Sequence, residues 1–238
     1  MTTTARPTTA GRTSGDPTRN HARAAGIFYL ITFAASLPAF VLIGSALNPD
    51  LTVNAGHDTR LLSAGLLDFV NAIACVGSAV ALFPVLKRQN QSLALGFVTS
   101  RLLEAAIIMT GVVSLLAVVT LNQHGAGSVA SSQALVAVRE WTFLFGPGFM
   151  ACINAVLLGT LMYQSRLVPR IIPTVGLIGA PLLFTANVAT LFGHNEQTSA
   201  ITMLATLPIA FWELSVGTYM TVKGFRPAPI TADLVKVD

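Results

Sequence analysis

Six long apolar stretches, approximately residues 26–47, 61–86, 93–121, 141–163, 171–193 and 200–222, constrain this chain more than anything else in it. Each can cross a hydrocarbon layer about 30 Å thick, which takes roughly 20 helical residues. Lipid offers no partner to a free peptide group, so a span must be a helix or one strand of a closed barrel. The alternating ten-residue segments of a barrel are missing. The expected fold is therefore all-α, a polytopic membrane protein built as a bundle of six transmembrane helices. Composition agrees, since only 10% of the 238 residues are charged and 53% are hydrophobic, whereas a soluble domain carries roughly 25% charged residues.

The few charges fix an expected orientation. Arg6, Arg12, Arg19, Arg23, Lys87, Arg88, Arg166, Arg170, Lys223, Arg226 and Lys236 fall on one side of the successive runs, 11 of the 14 basic residues. Arg60 and Arg139 fall on the other, with Asp50, Asp58, Glu140 and Glu196. Lys and Arg are retained on the cytoplasmic side of a membrane, so both termini are expected there, in an inner (plasma) membrane. Residues 1–22 hold seven Thr, two Pro, two Gly and three Arg, a composition that reads as a disordered cytoplasmic tail. The membrane domain is expected over 23–226 and a short cytoplasmic tail over 227–238. Residues 122–140 form a longer outer segment, in which Ser128 to Val138 reads either as an interfacial helix or as an early start to the fourth span.

Wound at 100° per residue, each run carries its polar and small residues on one side. The first presents Tyr29, Thr32 and Ser36, the second Asp68, Asn71, Cys75 and Ser78, the third Ser100, Arg101, Glu104 and Gly111. The fourth presents Pro147, Ala151 and Asn154, the fifth Pro173, Gly176, Ala180 and Asn187, the sixth Thr202, Thr206, Glu213 and Gly217. Six single-sided stripes imply a bundle with a polar interior. Ala151, Ala155 and Gly159, and likewise Ala106, Thr110 and Ser114, have the spacing that lets helix backbones approach in lipid.

Arg101, Glu104 and Glu213 demand explanation, because an ionised side chain at the bilayer centre costs about 2.5 to 3.5 kcal/mol on insertion scales. At about 1.5 Å per residue, Arg101 lies roughly 12 Å and Glu104 roughly 16 Å from the cytoplasmic end, and Glu213 lies roughly 19 Å from the opposite face. All three are expected to meet, either as a buried ion network that fixes helix register or as a substrate or proton site. Asp68 and Asn71, roughly 10 Å below the outer face, read as solvated vestibule groups or, for Asp68, a catalytic carboxylate. Asn154 and Asn187 are expected to hydrogen-bond to neighbouring helices. Pro38, Pro181 and Pro208 each deprive a carbonyl of its helical donor.

Cys75 and Cys152 lie in the middle of apolar runs without metal-ligand spacing, and His57, His124 and His194 share none either. No phosphate-binding loop, dinucleotide fingerprint or hydrolase signature is present. No metal and no cofactor are expected. The basic residues form no patch beside aromatics, which excludes nucleic acid and leaves membrane lipids and a small-molecule ligand as the expected partners.

Several short motifs resemble a bacterial family, the domain of unknown function numbered 4386. They are Arg23-Ala-Ala-Gly26-Ile-Phe-Tyr29-Leu, Arg101-Leu-Leu-Glu104-Ala, Ser165-Arg166-Leu167-Val168-Pro169-Arg170, and Glu213 followed by Val222-Lys223-Gly224-Phe225. The resemblance covers about 23–226. It implies a small polytopic inner-membrane protein, no particular activity, and a pattern that includes Arg101, Glu104, Arg170 and Glu213.

Three classes of function follow. Small-solute or proton-linked transport would use the Arg101, Glu104 and Glu213 cluster as a midplane site. A membrane enzyme acting on a lipid or prenyl substrate would use Asp68, Glu104 or Glu213 as a general acid. An interaction subunit would need the ions only for packing. A path open to both aqueous faces favours transport, a pocket opening sideways to lipid favours the enzyme, and a filled interior favours the subunit.

Overall fold

A computed structural model describes residues 17–54, 56–125 and 127–232. Its helices are α1 (Pro17–Ala46), α2 (Asp58–Leu86), α3 (Gln91–Gln123), α4 (Val129–Phe143), α5 (Ala151–Ser165), α6 (Ile171–Leu191) and α7 (Ala200–Val222). A π-helical segment, Leu144–Met150, joins α4 to α5 without a break, so the described residues contain six helices long and apolar enough to cross a membrane. Starts are set locally. Asn90 accepts from Leu93 N at 3.0 Å, Ser128 from Ser131 N at 3.1 Å and Ser199 from Thr202 N at 3.3 Å, each satisfying an amide hydrogen that the first turn leaves free.

The helices form a ring in which each packs on its chain neighbours and α7 closes onto α1. Six crossings bring the start of α1 and the end of α7 to one face, called here the terminal face; the opposite one is the distal face. Gly26 of α1 meets Gly217 of α7 so closely that a Cβ on Gly26 would fall 2.6 Å from the Gly217 carbonyl oxygen. The terminal half of the ring is filled by one apolar cluster that includes Leu82, Phe97, Leu158, Leu161 and Met220. In the distal half, a second cluster of Ala39, Ile43, Leu61, Leu115 and Val119 fills only the α1–α2–α3 side.

Several expectations are corrected. Helix α1 begins at Pro17, not after residue 22. Proline has no amide hydrogen to strand at a helix start, and Ala22 is fully buried while His21 Nδ1 lies 3.1 Å from the Ala81 carbonyl of α2. Residues 1–16 of the expected tail lie outside the described residues. At the other end Phe225, Ala228 and Ile230 pack against the terminal cluster, and Arg226 N donates to Leu167 O at 2.8 Å. The expected tail is therefore folded as far as the short turn Pro229–Thr231. The Ser128 to Val138 stretch is the early start of the fourth span, a continuous helix over Val129–Ser165. Ala106 and Thr110 are exposed on the outside of the ring, so of that small-residue row only Ser114 makes a helix contact, donating to Leu135 O of α4 at 2.6 Å.

Candidate functional site

Arg101 sits about three turns into α3 with its side chain 2% exposed. Glu104, one turn on, receives Arg101 Nη1 at 2.8 Å and Asn154 Nδ2 of α5 at 2.8 Å, both on Oε2. The i,i+3 spacing makes the first bond local; the second ties α3 to α5. Across the ring Glu213 of α7 places Oε1 3.8 Å from Arg101 Nη2, beyond hydrogen-bond reach. The guanidinium lies over the Tyr29 ring of α1 at 4.7 Å, and its Nη1 is 3.7 Å from Cys75 Sγ of α2. The three ionisable residues singled out in the sequence thus meet, supported by Asn154 and Tyr29. The formal charge of the cluster is one negative.

Arg101, Glu104, Glu213 and Cys75 form the floor of a cavity of about 400 Å³ that extends through the distal half of the ring to Gln197 in the α6–α7 connector. Towards the terminal face the floor rests on Tyr29, Phe97 and the apolar cluster. Sideways the wall is open. Leu37 of α1 and Met203 and Leu207 of α7 line the cavity while being 59%, 53% and 48% exposed. The two helices touch at Gly26 and Gly217 near the terminal face, and these exposed lining residues lie beyond that point, at the depth of a bilayer's hydrocarbon.

The upper walls correct two further expectations. Asp68, expected as a solvated vestibule group or a catalytic carboxylate, lines the cavity with Arg139 Nη2 3.7 Å from its Oδ2. Arg139, expected among the outer-connector charges, is instead buried on α4 and lines the cavity. The early start of α4 carries it into the bundle, where Asp68 supplies the counter-charge that a buried cation needs. Its guanidinium lies 4.8 Å from the Phe143 ring, which stacks at 5.7 Å on Phe40 of α1. Asn71 Oδ1 is 3.8 Å from Cys75 Sγ, both lining the cavity. Asn187 is 2% exposed, and its Nδ2 has no hydrogen-bond partner, contrary to the expected interhelical bond. Gly148 of the π-helical segment is what leaves room for it, because a Cβ there would stand 3.2 Å from Asn187 Nδ2.

Sequence reasoning missed Arg139 and Gln197. The signal for Arg139 was Asp68 itself, an acid inside a span without a cation assigned to it. Gln197 donates to the Glu140 carbonyl at 3.1 Å while its Oε1 has no partner; nothing in a connector glutamine announces that. Arg170 is not brought to the cavity. It begins α6 at the terminal face, its guanidinium 4.7 Å from the Tyr163 ring. Among the described residues no group of three His, Cys, Asp or Glu side chains could hold a metal ion. A second hollow of about 500 Å³, between α3 and α5 on the outside, is lined by groups such as Leu95, Gly96, Leu103 and Leu157 and no ionisable residue.

No curated protein and no solved structure matches the chain. The model of a family described as a domain of unknown function, DUF4386, matches residues 24–224, and this integral membrane protein belongs to that family.

Proposed function

We propose that this protein takes an amphiphilic molecule from the bilayer and holds its polar end against Arg101, Glu104 and Glu213, with Glu213 as the carboxyl group that accepts a hydrogen bond from it. The observation that carries the reading is the exposed apolar lining on α1 and α7 above a floor of ionisable residues. An aqueous solute needs no gap at hydrocarbon depth, whereas a tailed molecule needs one for its tail. Glu104 is spoken for by Arg101 and Asn154. Glu213 has no donor within hydrogen-bond distance in that pair and faces the cavity, which makes it the carboxyl group placed to meet a ligand. The basic residues support an inner-membrane location with both termini cytoplasmic, and membrane lipids as the surrounding partners.

Ala210 of α7 lines the same cavity, and Ala210→Trp should fill it near the opening. Wild-type protein purified into nanodiscs is expected to carry one amphiphile that survives delipidation, detected by native mass spectrometry, and the variant should lose it with an unchanged unfolding midpoint. A wild-type protein that retains nothing beyond exchangeable bulk lipid overturns the proposal.

Proton-linked transport is the second reading, favoured by the sealed terminal half, since a carrier must be closed on one side when open on the other. It requires a solute or proton flux in proteoliposomes that Glu213→Gln abolishes. An absence of flux across a broad panel of solutes and imposed pH gradients excludes it.

A further inference from the structure

Resting on the amphiphile reading, the chemistry of the head group can be taken further. Arg101 Nη2 and Nε have no hydrogen-bond partner although the side chain is 2% exposed. A buried guanidinium donor left unpaired forfeits its hydration without a replacement bond. Glu213 Oε1, 3.8 Å from Nη2, is an acceptor without that donor. One oxygen atom placed ~2.8 Å from both would see them at roughly a right angle, so a single hydroxyl could accept from Arg101 and donate its proton to Glu213. Higher in the cavity Asn187 Nδ2 is a second buried donor with no partner.

Charge selects among heads that could supply such an oxygen. Arg101, Glu104 and Glu213 sum to one negative charge, and Arg139 with Asp68 adds nothing. A phosphate would place further negative charge beside Glu104 and Glu213. A quaternary ammonium has no acceptor for Arg101 and no proton for Glu213. We infer that the cavity is a site for an uncharged amphiphile bearing a free hydroxyl and a second oxygen acceptor, of which a glycerol monoester is the simplest example. The hydroxyl sits between Arg101 and Glu213, an ester or second hydroxyl oxygen accepts from Asn187, and the tail leaves past Leu37 and Leu207.

The test uses the purified full chain in nanodiscs and four probes with the same C18 chain: a glycerol monoester, a methyl ester, a monoalkyl phosphate and a trimethylammonium. Binding is read by native mass spectrometry and competition. The glycerol monoester should bind at least about tenfold more tightly than each of the others, and Glu213→Leu should remove that preference. Asn187→Leu should weaken the monoester several-fold while raising the unfolding midpoint, because it deletes a buried amide that lacks a partner. It keeps the proposal testable if Glu213→Leu fails to fold. Tighter binding of the phosphate or the ammonium, or equal binding of the methyl ester, overturns the hydroxyl assignment and leaves the amphiphile site standing. Binding of none of the four, together with no retained native amphiphile, overturns both.

Discussion

At the scale of residues the bundle is held by a buried cation shared unequally between two acids. Arg101 donates directly to Glu104, meets Glu213 at 3.8 Å and lies over Tyr29. Removing the cation strands two carboxylates, which typically costs about 3 to 5 kcal/mol, whereas removing charge from all partners together can be nearly neutral. Arg101→Ala should therefore unfold at a clearly lower temperature in detergent than the same change combined with Glu104→Gln and Glu213→Gln. Equal midpoints would show that the groups are not coupled. Outside the spans, the Asp50 carboxylate accepts from Thr52 Oγ1 at 2.6 Å and Thr52 N at 3.1 Å. These bonds, the hydroxyl first, hold its carboxyl below the usual carboxylate range. A depressed folded pKa contributes stability above the unfolded value and loses it as pH falls through the folded one. Thr52→Val should move the Asp50 titration upward, read from the carboxyl carbon resonance; an unmoved titration rejects the cause.

At the scale of elements, glycines and prolines decide where helices touch and where they part. The span count and most helix ends were legible in the runs, because burial in lipid requires long apolar helices, but the starts of α1 and α4 lie about nine and twelve residues before the apolar runs begin. The inward stripes also placed Arg101, Glu104 and Glu213 together, since depth and phase are both simple functions of position on a helix. Arg139 and Asn187 were not legible for a common reason. Their surroundings depend on how α4 extends beyond the apolar run and how the π-helical segment turns around Pro147 and Gly148, neither of which periodicity reports. Closure of the ring depends on Gly26, where α7 backbone atoms leave no space for a side chain, and on Gly217, where the Tyr29 Cβ does the same. Gly217→Val would push its Cβ to 2.9 Å from that of Tyr29, and overpacking of this kind typically costs about 1 to 3 kcal/mol. Its unfolding midpoint should fall, and the Arg101 and Glu213 pair should separate with it. A midpoint equal to wild type would show that the α1–α7 seam is loose.

At the scale of the whole molecule, a ring packed solid at one face and hollow towards the other has a direction, and the direction matters for any chemistry at Glu213. The sealed half is the one that carries Lys87, Arg88, Lys223 and Arg226 at its edge, and the hollow half leads to the connectors holding Asp50 and Glu196. Retention of Lys and Arg on the cytoplasmic side would then direct the cavity to the outside, so that a proton leaving Glu213 along the polar wall of Arg139, Asp68 and Gln197 would emerge there. On a background with Cys75 and Cys152 replaced, a single cysteine at His124 in the exposed α3–α4 connector should react with an impermeant thiol reagent in intact cells, whereas cysteines at Arg88 and Lys223, both exposed, should react only after the membrane is opened. Labelling of Arg88→Cys and Lys223→Cys from outside, with His124→Cys protected, would invert the molecule and turn the cavity to the cytoplasm. Labelling of all three from one side would contradict the six crossings themselves, because an even number of spans separates Arg88 from Lys223 and an odd number separates either from His124.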